Sequence, residues 1–556
     1  MNKFKRPQRH VFKIQSKRFA EKNWNLKLKK EDAYKNDELV AIGESEVLRI
    51  IDKIKNVGDT QSIYLDIKYQ IRDIKKKENS NKTKKDIRGL NKQLNDLLFQ
   101  KDYIMIEFNN KGHYKTAIKN GVILNGVSFK RLYGTTGGIK KNTIIFVAES
   151  IHRELRERIE CGRKEDIKIV PAKYEAYKSL ASSASTPVSN IEPHRILVVE
   201  DHITNFKADA TEVKECLGEK PNITIVKDME MELEASDGNG AISPELSLQW
   251  ANDMGETYLP TGFVMRNAFC KGCLFTFDIK AFVEEIAIKQ HGKSNIVTDI
   301  WGNDVDVSKV DMVLCASMLK LWYAYDSIEH YIECCEDNGF GFSVTKITPK
   351  YLENERAMTY QFLQSLYLDD EDIKELTQPT VDEIKSVLEE DYRKTILYLN
   401  GTNMKEKNVW INEMDYIRAL MIDKRMMDDP FVKHRVHNMM KKQINDAKFG
   451  RIKVNGCYTI IASDIYGLME WIFGIEVDGV IGKGLLVKEE FYSDYWNKRE
   501  VKQVVAMRAP MCTHANIKKM NFVQSDETIK WFKYMKNCTI FNSWDSTCET
   551  LSGSDL

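Results

Sequence analysis

The sequence has no long apolar run. No stretch of its 556 residues approaches the ~18 consecutive apolar residues that a membrane-spanning helix requires, although 42% of the residues are hydrophobic. The N-terminus also lacks the apolar segment of a secretory signal peptide. We therefore expect a soluble protein with no membrane partner, long enough to bury a large core and to divide into several domains.

The sequence also lacks a charge excess of either sign and a cysteine framework. Its 83 Lys and Arg residues nearly cancel its 82 Asp and Glu residues, so the net charge does not predict a polyanionic partner. The 11 cysteines are scattered, and Cys334 is adjacent to Cys335, which is a poor arrangement for a disulfide scaffold. These features favour a reducing cytoplasm.

Charge is nevertheless distributed unevenly. The first 35 residues contain twelve Lys or Arg and three acidic residues. A second basic segment interleaves apolar residues with Lys433, His434, Arg435, His437, Lys441, Lys442 and Lys448. Both segments have the charge to contact nucleic-acid phosphates, and both are also typical of ordinary solvated or amphipathic helices. The sequence leaves these two interpretations open.

The hydrophobic pattern predicts a mixed α+β order. Residues 1–110 are predicted to form a basic helical N-terminal arm. Within it, two sets of apolar residues at helical spacing between residues 61 and 101 predict either an arm or a helical hairpin. Residues 349–450 are again predicted to be helical. Short apolar runs predict strands at residues 104–108, 121–129, 143–147, 195–199, 223–226, 273–277, 310–314, 457–461 and 501–507. A helical insert between two β units is the simplest description.

Three short motifs have competing interpretations. Residues 196–201 are similar to the start of a phosphate-accepting receiver domain, but the later strands offer no matching phosphoacceptor. Cys270 and Cys273 have the spacing of half a zinc site without a second pair, which favours two buried strand residues. Residues 134–138 are rich in glycine but lack the Gly-Lys-Ser/Thr ending of a phosphate loop, which favours a tight turn.

Several longer motifs follow one another between residues 120 and 556. Residues 237–243 have the form Asp-Gly-x-Gly-x-Ile-Ser, and residues 508–514 have the form Arg-x-Pro-x-x-x-His. Others, in chain order, are residues 130–138, 161–163, 173–177, 260–266, 299–302, 317–320, 463–470 and 551–556. Together these motifs resemble the RNA-dependent RNA polymerase family, in its single-chain phage and bacterial branch.

The resemblance implies a fold with two double-psi β-barrels. The first barrel would span residues 236–348, after an α/β domain at residues 111–235. The second would begin in residues 451–556, after the helical insert at residues 349–450. It would be incomplete, because the sequence ends inside the Asp-x-Asp-Gly-Asp motif that carries catalysis in this family.

The resemblance also implies the site residues. Asp555 would be the catalytic and Mg²⁺-binding aspartate, since Mg²⁺ prefers carboxylate oxygens. Lys271 and Lys320 would be catalytic lysines that meet the triphosphate as mobile point charges. Arg266, Arg508 and His514 would contact template or product.

The function implied is template-directed RNA synthesis. The partners would be a nucleic-acid template of RNA or DNA, the RNA product and NTPs, in the cytoplasm of a bacterium or a phage-infected host. One aspartate at a chain end leaves a metal mostly to water, so we expect little or no activity from this polypeptide alone. The alternatives are one half of a split polymerase, completed by a C-terminal polypeptide, and a non-catalytic nucleic-acid-binding fragment.

Overall fold

The computed structural model describes residues 7–75, 81–134, 142–214, 220, 222–389, 391–400, 415–509, 511 and 516–551. The strands are β1 (Arg9–Gln15), β2 (Asn25–Leu26), β3 (Leu39–Ile42), β4 (Phe99–Glu107), β5 (Val122–Leu124), β6 (Val127–Gly134), β7 (Thr143–Ala148), β8 (Thr186–Pro187), β9 (Ile196–Val199), β10 (Ile203–Lys214), β11 (Asn222–Glu234), β12 (Asn239–Ile242), β13 (Gly262–Asn267), β14 (Cys270–Thr276), β15 (Ile296–Thr298), β16 (Asp304–Asp306), β17 (Met312–Cys315), β18 (Ser343–Ile347), β19 (Glu355–Ala357), β20 (Lys453–Asn455), β21 (Ile460–Ala462), β22 (Glu476–Val477), β23 (Val480–Ile481), β24 (Glu490–Tyr492), β25 (Gln503–Met507), β26 (Ile517–Phe522) and β27 (Cys538–Phe541).

The α-helices are α1 (Ser16–Ala20), α2 (Lys30–Lys35), α3 (Glu46–Ile54), α4 (Thr60–Lys75), α5 (Asn81–Leu97), α6 (Lys111–Asn120), α7 (Glu149–Glu160), α8 (Pro171–Ser179), α9 (Pro244–Asp253), α10 (Ile279–Phe282), α11 (Ile328–Asn338), α12 (Tyr360–Gln364), α13 (Asp370–Leu388), α14 (Tyr392–Asn400), α15 (Asp415–Ile422), α16 (Pro430–Lys448), α17 (Ile465–Ile472), α18 (Asp494–Asn497), α19 (Asp526–Trp531) and α20 (Thr547–Thr550). Among the described residues, no helix combines the length and apolar composition needed to cross a membrane.

The chain divides into two compact units. Unit 1 contains Met1–His202, Ser236–Thr348 and Ile465–Gly482, and unit 2 contains Ile203–Ala235, Pro349–Asp464 and Lys483–Leu556. The predicted α/β domain at residues 111–235 is therefore divided between the units, as is the predicted second β unit. The domain boundaries inferred from the sequence stay predictions.

The N-terminal part of unit 1 is a seven-stranded sheet, ordered β2-β5-β6-β7-β4-β1-β3. Strand β1 lies parallel to β4 and antiparallel to β3, and it buries Val11 and Ile14. The helical prediction for residues 1–110 is wrong for β1 and β3, whereas the strand predicted at residues 104–108 overlaps β4. Lys13 interrupts the apolar run of β1, and its partner strands β3 and β4 are distant in sequence.

The predicted helical hairpin within this region is confirmed. Helices α4 and α5 bury Ile67, Ile71 and Leu94 against each other, with Ile63 and Leu90 partly buried beside them. Residues three and four apart share a helix face, so each helix presents one apolar stripe to the other. The predicted turn, residues 75–81, lies largely outside the described residues.

The second sheet of unit 1 is also seven-stranded, ordered β8-β18-β13-β14-β12-β17-β9. Strands β12 and β14 are parallel, as are β9 and β17, whereas β12–β17 and β13–β14 are antiparallel. Most side chains of β9, β12, β14 and β17 are buried. Buried strands appear in sequence as continuous apolar runs, which is why the pattern predicted β9, β14 and β17, whereas β12 was not predicted.

The five-stranded sheet of unit 2, ordered β21-β27-β24-β26-β25, repeats this topology. In chain order, its first strand is parallel to the fifth, the fifth antiparallel to the second, the second parallel to the fourth, and the fourth antiparallel to the third. Strands β9, β12, β13, β14 and β17 of unit 1 pair in the same way. The predicted mixed α+β fold with two β units is confirmed.

Unit 2 also contains the predicted helical insert and a long ribbon. Helices α13 to α16 enclose an apolar cluster of Val387, Leu399, Ile417, Leu420, Val432, Val436 and Met440. Strands β10 and β11 form a two-stranded antiparallel ribbon along almost their full length. The helices predicted near residues 381–399 and 411–448 are confirmed where those residues are described.

Candidate active site

Two glycines allow the strands of the second unit 1 sheet to pack closely around Met318. A Cβ on Gly240 would lie 2.2 Å from the carbonyl oxygen of Val313, and a Cβ on Gly272 would lie 2.4 Å from Cε of Met318. Both distances are far below van der Waals contact, so a side chain at either position would force its neighbour to move. The fully buried Met318 therefore packs the segment that leads to Lys320 directly against β12 and β14.

A hydrogen-bonded turn holds that segment after β17. The carboxylate of Asp201 accepts hydrogen bonds from the backbone N–H of Ser317 at 2.8 Å and from its hydroxyl at 2.6 Å. Ser236 donates a third hydrogen bond to Asp201 at 3.2 Å, and Ser317 Oγ accepts from the N–H of Gly238 at 2.9 Å. The acid of the receiver-like motif thus links three loops of the sheet.

The two sequence-predicted lysines lie on neighbouring backbone segments of this sheet. Lys271 is in β14, and its N–H donates to the carbonyl of Met318 at 3.0 Å; the N–H of Lys320 donates to the carbonyl of Phe269 at 3.0 Å. An antiparallel bridge between Cys270 and Leu319 joins the same two segments. Their ammonium groups are therefore carried by a rigid, hydrogen-bonded scaffold.

Arg266 lies directly opposite Lys271 in the β13–β14 ladder. Directly opposed residues of an antiparallel pair leave the same face of the sheet, so the structure brings these two predicted residues together. Arg266 is largely buried, and its Nη1 donates to the carbonyl of Met265 at 2.7 Å. Its Nε has no hydrogen-bond partner in the described part of the chain, and burial lowers the pKa of its guanidinium.

A buried carboxylate, Glu46, balances this arginine from the first turn of α3. Glu46 is 3% exposed and accepts a hydrogen bond from the hydroxyl of Ser343 at 3.2 Å. Burial raises the pKa of Glu46 to about 7, whereas the positive charges of Arg49 and Arg266 and the Ser343 hydrogen bond oppose that shift. The environment of Arg266 is thus partly set by a group from the N-terminal region.

The two cysteines of this sheet are buried strand residues. Burial raises the pKa values of both Cys270 and Cys273 to about 12, although the charges of Arg266 and Lys320 pull that of Cys270 downward. Metals bind thiolates, which these surroundings disfavour. No cluster of three metal-ligating side chains occurs among the described residues.

In unit 2, Arg508 binds the C-terminal end of α20. Nη1 of Arg508 donates to the carbonyl of Leu551 at 3.3 Å, and Nδ2 of Asn516 donates to the carbonyl of Thr550 at 2.5 Å. Both carbonyls lie at the end of α20, where helix carbonyls lack intrahelical partners. Arg508 is therefore placed to position this chain end, in addition to any contact with nucleic acid.

Asn542 and Asp545 shape the turn between β27 and α20. Asp545 accepts from Nδ2 of Asn542 at 2.8 Å, from the N–H of Glu489 at 2.9 Å and from the N–H of Thr547 at 2.9 Å. The route toward residue 551 is thus fixed by side-chain hydrogen bonds. His514 and Asp555, as well as most of the glycine-rich segment 134–138, lie outside the described residues.

Motif residues ahead of the first β unit have structural partners. Glu175 forms an ion pair with Arg131 at 2.7 Å and accepts from the N–H of Gly134 at 3.0 Å. The guanidinium of Arg163 lies 4.6 Å from the ring centre of Tyr174 and donates to its hydroxyl at 2.6 Å. These motifs stabilise the connection between β6, α7 and α8.

Sequence reasoning missed two residues of this site. Asp201 is recognisable in the sequence as an acidic residue directly after an apolar strand, but this pattern is also that of a receiver domain. Glu46 has no such signal, because one acid in a segment rich in charge is indistinguishable from a surface residue until its burial is known.

Comparison with known proteins matches this chain to one family. The family model of RNA dependent RNA polymerase matches residues 67–556. DNA-directed RNA polymerase YonO of Bacillus phage SPbeta is 26% identical over 425 residues, which are 75% of this chain and 46% of that protein. The chain thus spans about half the length of this relative.

A solved structure is also similar. The RNA dependent RNA polymerase QDE-1 from Thielavia terrestris aligns with 81% of this chain and 47% of its own, at 13% identity and a TM-score of 0.48. The family match covers most of the chain. It includes the two sheets that share the same strand pairing and the motifs that contain Lys271, Lys320 and Arg508. The chain belongs to the RNA dependent RNA polymerase family.

Proposed function

We propose that this chain forms the NTP-binding part and much of the template-binding part of a template-directed RNA polymerase. The observation that carries the proposal is the pairing of Lys271 and Lys320 on two backbone segments joined by hydrogen bonds, with Arg266 opposite Lys271. Three cationic side chains on one rigid sheet suit a triphosphate and a nucleic-acid backbone.

The reaction would join nucleotides by phosphoryl transfer. The 3′-hydroxyl oxygen of the RNA attacks the α-phosphorus of an NTP, the bond from that phosphorus to the bridging oxygen breaks, and pyrophosphate leaves while the hydroxyl proton passes to solvent. In this proposal Lys271 and Lys320 stabilise the negative charge that grows on the phosphates. Arg266 and His514 contact the nucleic-acid backbone, and Arg508 positions the chain before Asp555.

Magnesium is the cofactor that this chemistry implies. Bound Mg²⁺ would neutralise charge on the attacking and leaving oxygens. Among the residues of this sequence we assign Asp555 as a ligand, and the other carboxylates of an Asp-x-Asp-Gly-Asp motif would have to come from residues beyond it. A polypeptide that contains Asp555 without those carboxylates should have little or no activity.

The experiment measures RNA synthesis with and without those carboxylates. Residues 1–556 are incubated with NTPs, Mg²⁺ and a primed RNA or DNA template, either alone or with a second polypeptide that begins with Asp-Gly-Asp and continues the second β unit. Product only on mixing supports the proposal. Nucleic-acid binding without product in either case supports a non-catalytic binding protein instead.

The template class is an outcome of the same assay. The family name specifies RNA as template, whereas the phage relative is named as DNA-directed. Parallel reactions on RNA and DNA of identical sequence distinguish the two. We place the reaction in the cytoplasm of a bacterium or of a phage-infected host.

The lysines supply a residue-level test. Lys271→Ala or Lys320→Ala should lower the rate of synthesis by about 100-fold or more, as does the loss of other preorganised charge-stabilising groups. Lys346→Ala is the matched control, because Lys346 is an exposed lysine on β18 of the same sheet. Equal rates for the control and both variants would remove the lysines from the mechanism.

A further inference from the structure

Helix α16 presents a continuous basic surface in unit 2. Its buried side consists of Val432, Val436 and Met440, which pack into the apolar cluster of the helical insert. The remaining faces carry exposed cationic or titratable side chains: Lys433, His434, Arg435, His437, Lys441, Lys442 and Lys448. We call these seven residues the α16 basic surface.

Basic side chains recur along the helix. Lys433, His437 and Lys441 are spaced four residues apart and Lys448 follows seven later, so they share one face and recur about every 6 Å or more along the axis. His434, Asn438 and Lys442 form a neighbouring row with the same spacing. The 19 residues of α16 make a rod about 28 Å long, which suits a partner with evenly repeated charge.

Few acids oppose this charge. Helix α16 contains five Lys or Arg and one acidic residue, Asp446. Lys433 forms an ion pair with Asp428 at 3.2 Å, whereas no carboxylate among the described residues lies within ion-pair distance of Lys441, Lys442 or Lys448. Asp429 lies at the N-terminal end of α16, where it caps the helix by accepting hydrogen bonds from the N–H groups of Phe431 and Val432.

We propose that the α16 basic surface binds the phosphate backbone of a nucleic-acid duplex. The inference rests on the proposed function, which requires the protein to hold a duplex of template and product. A uniform polyanion satisfies a helix that presents basic side chains along its whole length, whereas an acidic protein surface rarely offers such a repeat of charge. The contact is independent of base sequence, because phosphates carry no sequence information.

Binding of a fluorescent 20-base-pair RNA–DNA hybrid to residues 1–556, measured by anisotropy over a salt series, tests the proposal. In the triple variant Lys441→Gln, Lys442→Gln, Lys448→Gln we expect binding about 10- to 100-fold weaker and a slope of log affinity against log salt shallower by about two to three units, since each neutralised phosphate contributes about 0.9. The same loss is expected for hybrids of unrelated sequence.

Two controls separate charge from folding. Lys84→Gln, Lys85→Gln, Lys92→Gln removes three exposed lysines from α5 and should leave affinity and slope unchanged. Lys441→Arg, Lys442→Arg, Lys448→Arg keeps the charge and should bind like the unaltered chain.

The outcomes separate this proposal from the proposed function. If the unaltered chain binds the hybrid and the α16 and α5 glutamine variants behave alike, the α16 basic surface is not the contact, while the polymerase proposal stands. If the unaltered chain does not bind the hybrid at any salt concentration, both proposals are overturned.

Discussion

The carboxylate of Asp201 accepts three hydrogen bonds from two serines and thereby fixes the turn ahead of Lys320. Its two oxygens have separate partners, because Oδ2 accepts from the backbone N–H of Ser317 and Oδ1 accepts from both hydroxyls. An acceptor-only group suits this position. The site therefore depends on a residue that itself carries no role in the chemistry.

The variant Asp201→Asn should loosen this turn. If the amide NH₂ takes the place of Oδ2, it faces the backbone N–H of Ser317; if it takes the place of Oδ1, the two serine hydroxyls lose their acceptor. Either arrangement should lower the free energy of unfolding by about 1–3 kcal/mol. In the synthesis assay we expect the KM for NTP to rise more than kcat falls, because Lys320 is displaced and not removed. The neighbouring exposed Glu200→Gln is the control, and equal KM values for the two variants would contradict the assignment.

Glu46 predicts a pH dependence of stability. Burial raises its folded pKa from 4.5 to about 7, so between these pH values the folded protein keeps a proton that the unfolded chain has lost. This contribution to stability is therefore largest at low pH and declines by an amount on the order of 3 kcal/mol as pH rises to about 7. Arg49, Arg266 and Ser343 surround the carboxyl group.

The variant Glu46→Gln isolates that contribution. Urea unfolding at pH 5 and pH 7.5 should show a smaller loss of unfolding free energy with rising pH in the variant than in the unaltered chain. The remaining pH dependence of both proteins comes from their other titratable groups. The same pH dependence in both would show that Glu46 ionises normally.

At the scale of elements, the close packing of β12 and β14 against β17 and the turn that follows it depends on the small size of Gly240 and Gly272. Gly240 faces the backbone of Val313, which cannot move without breaking the sheet, whereas Gly272 faces the flexible side chain of Met318. Substitution at Gly240 is therefore the more disruptive of the two. Gly240 of the 237–243 motif is therefore required for packing.

Gly240→Ala should destabilise the protein by about 3 kcal/mol or more, since overpacking of a rigid core typically costs 1–3 kcal/mol and the obstacle here is backbone. Gly89→Ala is the matched control, because Gly89 lies within α5 with no atom near its would-be Cβ. That variant should be stabilised by about 0.5–1 kcal/mol through higher helix propensity. Thermal unfolding of both variants measures the difference in stability. Similar melting temperatures would contradict the close packing of Gly240 against Val313.

At the scale of the whole molecule, the repeated strand order is the principal finding. Two sheets, one in each unit, pair their five strands by the same sequence of parallel and antiparallel contacts. Insertions between equivalent strands differ in length, and the chain between the two sheets contains the helical insert. The sequence pattern located five of these ten strands, β9, β14, β17, β21 and β25, and did not predict their pairing.

The sequence by itself determined which segments become strands or helices wherever apolar periodicity was strong, as in the runs that became β9, β14 and α16. Its motifs also indicated the family and brought Lys271, Lys320 and Arg508 to attention. Only the tertiary structure decided that β1 lies inside a sheet, that Asp201 holds a turn and that Glu46 is buried beside Arg266. The physical reason is that these properties depend on partners between about 30 and 300 residues away, and local propensity carries no information about contacts at that separation.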